Sequence, residues 1–311
     1  MEEALEYFNQ FDGFDRFDFP EGVVRVTAGR GGEALLITGS EKTALVDCGM
    51  AYCAADMIEN LNRELKGRKL DYMLLSHSHF DHLGALPFIR QAWPDAITVG
   101  AGYAHRVLSN PKAIDTINTL GEDARRKFGD KKELVIPDAG FDVDRVVADG
   151  DTISLGKEEI VVMETKGHTD CSLTFALEPQ GILFLSESTG VLAGHEKMHI
   201  TILKNYRDCL QSAEKCRNYG AKHLISPHYG LMPAYYNERY WELFVATAES
   251  YKEFFCDLFR QGLSDEEVLE KYAQKHWVGG RKTTQPKEAF LLNAGTVVKV
   301  FKREYEADLS P

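Results

Sequence analysis

Ser76-His77-Ser78-His79-Phe80-Asp81-His82 places three imidazoles and one carboxylate within a single short stretch. The stretch follows the apolar run Leu70 to Leu75, which reads as a buried β-strand, so its polar groups belong to a loop at the strand's end. Imidazole nitrogen and carboxylate oxygen are the donors that borderline divalent metals take. One ion cannot easily accept all four donors from so short a loop. The spacing therefore suggests two adjacent ions sharing it.

Other segments of the same kind lie on either side. Upstream, Ala44-Leu45-Val46-Asp47-Cys48-Gly49 reads as a strand ending in Asp and Gly. Downstream come Gly167-His168-Thr169, Phe184-Leu185-Ser186-Glu187 and Ser226-Pro227-His228-Tyr229-Gly230. With His77-x-His79-x-Asp81-His82, these segments resemble the signatures of the metallo-β-lactamase superfamily, in family order, over roughly residues 20–230. The resemblance implies an α/β fold, an αββα four-layer sandwich of two mixed β-sheets flanked by helices with metals at one edge. It also implies a ligand set. His77, His79 and His168 would hold one metal, and Asp81, His82 and His228 the other. Glu187 would bridge them. The family's usual pair at that position is Gly-Asp, so Ser186-Glu187 extends the bridging carboxylate by a methylene. The expected cofactor is two divalent metal ions, zinc first, with iron or manganese as alternatives.

Two such cations about 3.5–4 Å apart acidify a shared water and polarise a carbonyl or phosphoryl oxygen. In the resembling enzymes Asp81 also orients the nucleophile and shuttles its proton, which makes it the expected catalytic residue. Asp47, Thr169 and Asp170 are candidates for fixing imidazole tautomers, with turn capping as the alternative for Asp47 and Asp170. Tyr229 either donates to a substrate oxygen or packs at its loop. His105, His195, His199, His223 and His276 fall outside the pattern and read as solvated or hydrogen-bonded side chains. Because His195 and His199 lie in the Gly-containing loop after Glu187, a substrate contact is the alternative for those two. Cys171, close after His168, reads as a small buried residue.

Composition narrows the function. The 311 residues suffice for one large domain, or a domain plus an extension. Net charge is −12, and no Lys/Arg-rich run stands out, so nucleic acid is not an expected partner. The six cysteines show no Cys-x-x-Cys spacing and read as reduced thiols. The acidic start Met1-Glu2-Glu3 lacks a signal-peptide pattern, and no apolar run reaches membrane-spanning length. A cytoplasmic protein acting on a small molecule is expected, with no membrane partner.

Organisation follows the hydrophobic pattern. Phe8, Phe11, Phe14, Phe17 and Phe19 form an aromatic arm that docks on its own domain, with a homodimer contact or pocket wall as other uses. Residues 22–47 read as a β-meander, and the turn Gly29-Arg30-Gly31-Gly32 is not a phosphate loop because a strand follows it. A helix fits 51–66, with Ala55, Ile58, Leu61 and Leu65 on one side, and another fits 84–92. Residues 103–140 read as a helical insertion beside the site. Strands are expected near 144–147, 152–155, 159–164, 172–176 and 181–185, with a helix over 206–218 before the strand leading to His228. Residues 1–231 would form the metal-binding domain. Residues 232–311 would form a mostly helical C-terminal extension packed on it, with Ser264-Asp265-Glu266-Glu267 opening one helix as a capping box.

The leading functional expectation is a metallo-hydrolase of an ester, thioester, lactone or related small substrate. A di-iron oxidoreductase or oxygen- or nitric-oxide-handling protein on the same fold is the alternative, although flavodiiron relatives usually carry Glu where this chain has His79. A non-catalytic regulatory member is the third reading.

Overall fold

Strands β1 (Val23–Arg25), β2 (Leu35–Thr38) and β3 (Thr43–Val46) make the expected meander, each antiparallel to the next. The computed structural model describes residue 11 and residues 13–129, 134–137 and 139–309. Phe8 of the aromatic arm lies outside the described residues. After β3 the chain alternates helix and strand. Helix α1 (Ala54–Leu65) precedes β4 (Tyr72–Leu74); α2 (Phe80–Leu83) and α3 (Leu86–Ala92) precede β5 (Ile97–Ala101); α4 (Gly102–Leu108) and α5 (Pro111–Phe128) precede β6 (Arg145–Val147). The pairs β3–β4, β4–β5 and β5–β6 are parallel, as helical crossovers require.

Strands β7 (Thr152–Ser154), β8 (Glu159–Glu164), β9 (Leu173–Glu178) and β10 (Ile182–Phe184) begin a second sheet. A small hairpin, β11 (Val191–Gly194) and β12 (Lys197–His199), stands apart from it, and α6 (Tyr206–Tyr219) then leads to β13 (His223–Ser226) and β14 (Gly230–Leu231). The first sheet runs β1-β2-β3-β4-β5-β6 and the second β14-β13-β10-β9-β8-β7. Helices α7 (Asn237–Arg260), α8 (Asp265–His276), α9 (Gly280–Thr284) and α10 (Lys287–Leu309) complete the chain. The capping box at Ser264 forms as expected.

The second sheet shows why the layers stack. Strand side chains alternate between faces. Ile160, Val162, Phe175, Leu177, Ile182 and Phe184 point into the core shared with the first sheet. Their neighbours Met163, Ala176, Leu183 and Leu185 point the other way, into a second core with Tyr240, Phe244, Phe255 and Phe301 of the C-terminal helices. Each fully buried Leu, Ile or Phe contributes about 1.5–3 kcal/mol, so both faces must be covered. This is the αββα sandwich with its helical C-terminal part. No helix among the described residues is long and apolar enough to cross a membrane.

The structure departs from the sequence expectations in three local ways. The buried stripe of α1 is Ala54, Met57, Leu61 and Leu65, so its first turn is rotated by one residue from the expected Ala55 and Ile58. Strand β5 and the β11–β12 hairpin were not anticipated. Four residues of β5 are buried, and the core holds them without any two-residue alternation to mark them. The expected helix at 84–92 forms as α3 (Leu86–Ala92), and an unanticipated short helix, α2 (Phe80–Leu83), precedes it within the metal loop; Gly84 between them packs where a Cβ would lie 2.8 Å from Ala51 N and 2.5 Å from Phe80 O. All six cysteines are buried and none is in a disulfide among the described residues. The described part of the arm docks on its own chain: Phe11 sits edge-on to Tyr236 with ring centroids 4.7 Å apart, and the Arg16 guanidinium donates to the Tyr229 carbonyl at 3.0 Å.

Candidate metal centre

Every expected ligand comes from the end of a strand or the turn after it. His77, His79, Asp81 and His82 follow β4. His168 follows β8, Glu187 follows β10, and His228 follows β13. The facing sheets bring these loops to one edge. His77, His79, His168 and Glu187 form one group of converging donor atoms, and Asp81, His82, Glu187 and His228 form the other. The Glu187 carboxylate belongs to both. Its Oε1 lies 3.0 Å from Nε2 of both His82 and His228, and its Oε2 lies 3.6 Å from His168 Nε2. His228 Nε2 is 3.6 Å from Asp81 Oδ2.

Hydrogen bonds on the far side of the rings set the tautomers. His168 Nδ1 is 2.6 Å from the carbonyl oxygen of Thr201, which can only accept, so the proton is on Nδ1 and the lone pair on Nε2. That Nε2 lies 3.1 Å from His79 Nδ1. Asp47 organises the other side. It accepts from the Ser76 backbone N–H at 2.8 Å and the Ser76 hydroxyl at 2.7 Å, while its Oδ2 takes His82 Nδ1–H at 2.8 Å. With its proton given to Asp47, Ser76 Oγ accepts from His77 Nδ1 at 3.0 Å. The His77 Nε2 lone pair therefore faces the group, and this atom is buried without a hydrogen-bond partner. One carboxylate thus orients two imidazoles, His82 directly and His77 through a serine.

Electrostatics agrees with a site for cations. Burial, then the neighbouring rings of His82, His79 and His168, pulls His77 well below its ordinary range. Burial and then His168 bring His79 down to about 4. For Glu187, burial favours the neutral form, but His168, His228 and His82 outweigh it and keep the carboxylate charged. His82 goes the other way: burial opposes its proton, yet Asp47 and Asp81 hold it well above its ordinary range. A metal cation binding there needs the unprotonated ring nitrogen, so metal and proton compete for it. A buried, partnerless imidazole nitrogen, a ring nitrogen pair at van der Waals distance and a shared carboxylate together fit two divalent ions. The all-nitrogen-and-oxygen donor set suits zinc, iron or manganese.

The backbone is built around this centre. Asp47 and His228 have positive φ values of 56° and 62°, the sparsely populated region for residues with side chains. Gly32, in the glycine turn, donates its N–H to the Asp81 carbonyl at 3.0 Å, and a Cβ there would lie 2.5 Å from the His82 ring. The cluster that is no phosphate loop is thus a close-packed cover for His82.

The remaining candidates fall differently. Asp47 is placed as expected for a tautomer-fixing residue. Thr169 turns to Ser172 Oγ at 2.7 Å on its own turn, and Asp170 pairs with Lys204 at 3.1 Å. The carbonyl of Thr201 holds the His168 ring instead, and Ser188 Oγ accepts the His168 backbone N–H at 3.0 Å. Tyr229 is buried, with its ring beside Phe11 and beneath the Arg16 guanidinium, which is the packing alternative. Cys171 is buried with Sγ 3.4 Å from Ser78 Oγ. His199 lines the cavity above the centre, whereas His195 packs against Phe11. The sequence reading missed Ser76 and Thr201. Ser76 was visible beside His77, but its role depends on Asp47 lying across the sheet.

That cavity, of about 150 Å³, has His79, Asp81, Glu187 and His228 on its floor. Its sides come from Phe80, Leu120 of α5, the β11–β12 hairpin, and residues of α9 and α10.

Comparison with known proteins shows what the chain is similar to. The metallo-beta-lactamase fold-containing protein ST1585 of Sulfurisphaera tokodaii is 27% identical over 158 residues, covering 50% of this chain and 56% of that protein. The anaerobic nitric oxide reductase flavorubredoxin of Klebsiella pneumoniae is 25% identical over 189 residues, covering 60% of this chain and 33% of that protein. The match thus spans a third to somewhat over half the length of these relatives. The metallo-beta-lactamase family protein TTHA1429 from Thermus thermophilus superposes with a TM-score of 0.64 at 19% identity, over 93% of this chain and 95% of that one. The model of the metallo-beta-lactamase superfamily matches residues 28–193. With more than half of the sequence matched, and the metal loop inside the matched segment, the chain belongs to the metallo-beta-lactamase superfamily.

Proposed function

We propose that this protein is a metal-dependent hydrolase that opens an ester, thioester, lactone or related bond in a small molecule, using two divalent ions, zinc first. His77, His79 and His168 would hold one ion, Asp81, His82 and His228 the second, with Glu187 shared. When bound, such a pair supplies Lewis acidity and acidifies water enough to give a nucleophile near neutral pH. The observation that carries the reading is the pinning of the rings. Thr201, Ser76 and Asp47 occupy the outer nitrogens of His168, His77 and His82, leaving the inner nitrogens to converge. Such pinning raises ligand basicity and reduces the reorganisation needed on binding.

The chain's own residues supply the remaining functions. Asp81, on the cavity floor 3.6 Å from His228 Nε2, would orient the attacking water and carry its proton to the leaving group. Phe80, Leu120, Val191 and Leu192 give the cavity an apolar lining that excludes bulk water and strengthens charge interactions inside. The di-iron oxidoreductase reading keeps one specific support, the similarity to flavorubredoxin over 60% of the chain. His79 as an imidazole donor supports the hydrolase instead.

The test is turnover of thioesters, lactones and phosphodiesters by protein loaded with zinc or manganese, beside His77→Ala. Turnover lost in His77→Ala supports hydrolysis. Iron-loaded protein that consumes oxygen after chemical reduction and hydrolyses none of the panel would replace it with the oxidoreductase.

A further inference from the structure

Arg281 stands in the wall of the metal cavity as a buried cation with no carboxylate partner among the described residues. Its side chain is 5% exposed, and it lines the same cavity as His79, Asp81, Glu187 and His228. Its described neighbours are phenols, rings and imidazoles. Tyr272 Oη is 3.5 Å away and the guanidinium lies 5.7 Å from the Phe290 ring centroid. Tyr251 also faces it, and burial pushes that phenol above its usual range, so it brings no negative charge. His276, which shares a 3.1 Å hydrogen bond with Tyr251, is driven down to about 3 by burial and then by Arg281, and His199 is driven down by the same two causes in that order. Both rings are neutral at pH 7.

A buried guanidinium without an anion is costly and uncommon, because arginine cannot lose its proton to escape the penalty. The short helix that carries it is nevertheless held firmly. Lys127 Nζ donates to the carbonyls of Lys282 and Gln285 at 2.9 and 2.7 Å, and Arg30 donates to that of Thr283. Two cations from the metal-binding part of the chain thus latch α9 beside the cavity.

We propose that Arg281 is a substrate-positioning residue that receives an anionic oxygen group, a carboxylate or a phosphate, of a substrate whose scissile bond lies at the metal floor. This rests on the hydrolase reading and adds a substrate class to it: small esters or thioesters with an acidic end joined to the reacting carbonyl by a short apolar segment. The guanidinium fork matches such a group with two parallel N–H···O bonds. The apolar side walls of Leu120, Val191 and Leu192 suit the middle of the molecule, and Asn293 and Gln285 add neutral donors to the same cavity.

The test uses the full chain, metal-loaded and metal-stripped, and reads binding as well as turnover. Butyrate and inorganic phosphate are titrated calorimetrically into wild type, Arg281→Met and Arg281→Lys. The account expects at least one anion to bind wild type with or without metal, at least tenfold weaker binding to Arg281→Met, and partial retention in Arg281→Lys. Which anion binds identifies the group. In turnover, a hemisuccinate ester should exceed its methyl-capped analogue in wild type, with the preference lost in Arg281→Met through KM and turnover of the capped ester unchanged. Removing a buried unpaired charge should leave the melting temperature unchanged or higher. A lower melting temperature with unchanged anion binding would make Arg281 a structural strut and overturn the proposal, as would anion binding that depends on metal alone. Arginine-dependent binding without hydrolysis of any ester would preserve the anion site and reject the hydrolase. Hydrolysis without charge preference would do the reverse.

Discussion

The floor of the cavity is made by loops at strand ends, and its far wall by helices α9 and α10 from the other end of the chain. The floor gathers charge at close range: seven donor residues converge, and Asp47, Ser76 and Thr201 fix their orientation. The wall is built by packing. Phe255 of α7 stacks on Phe301 of α10 at 4.5 Å and on Tyr272 of α8 at 5.3 Å, and this cluster presents Arg281 to the cavity. Floor groups are held by directional bonds that tolerate little displacement, which suits coordination. Wall groups are held by shape, which permits a different lining without disturbing the metals. On the proposed reading, chemistry belongs to the floor and selectivity to the wall.

If that division is correct, floor and wall variants give different signatures. The largest effect is expected from Glu187→Ala, which removes the carboxylate common to both donor groups. Cations per chain should fall below two by elemental analysis, with turnover lost and anion binding at Arg281 retained. Phe255→Ala empties a fully buried aromatic site and should cost about 3–5 kcal/mol in denaturant unfolding, yet leave the metal content at two. If it stripped the metals instead, floor and wall would not be separable. Asp47→Asn should weaken metal binding about 10–100-fold, because the amide cannot accept from Ser76 and His82 together as a carboxylate does. Competition with a chelator would measure this, and unchanged affinity would remove Asp47 from the account. Ser264→Ala breaks the α8 capping box and should cost about 1 kcal/mol without altering metal content or turnover.

The same contrast explains what the sequence revealed. Floor ligands are legible because metal chemistry restricts them to His, Asp and Glu at short spacings after apolar strands. Strands β8 through β10 are legible as short apolar runs bounded by turn residues such as Pro179 and Gly181. Strand β5 was hidden because Thr98, Gly100 and Ala101 interrupt its apolar run, although four of its five residues are buried. The Asp47–Ser76–His77 relay joins residues 29 positions apart, and Asp47 takes its place only after β3 and β4 pair in register. Thr201 acts through its backbone carbonyl, which no side-chain pattern reports. Arg281 reads locally as an ordinary surface cation beside Lys282. It is buried where α9, held by Arg30 and Lys127, packs against Tyr272 and Phe290.

Counting metals per chain in wild-type protein, purified and then reconstituted with zinc, manganese or ferrous iron, tests the central claim most directly. The account predicts two divalent ions per chain, falling to fewer than two in Glu187→Ala. Fewer than two ions in wild type under every loading condition would contradict the dinuclear centre.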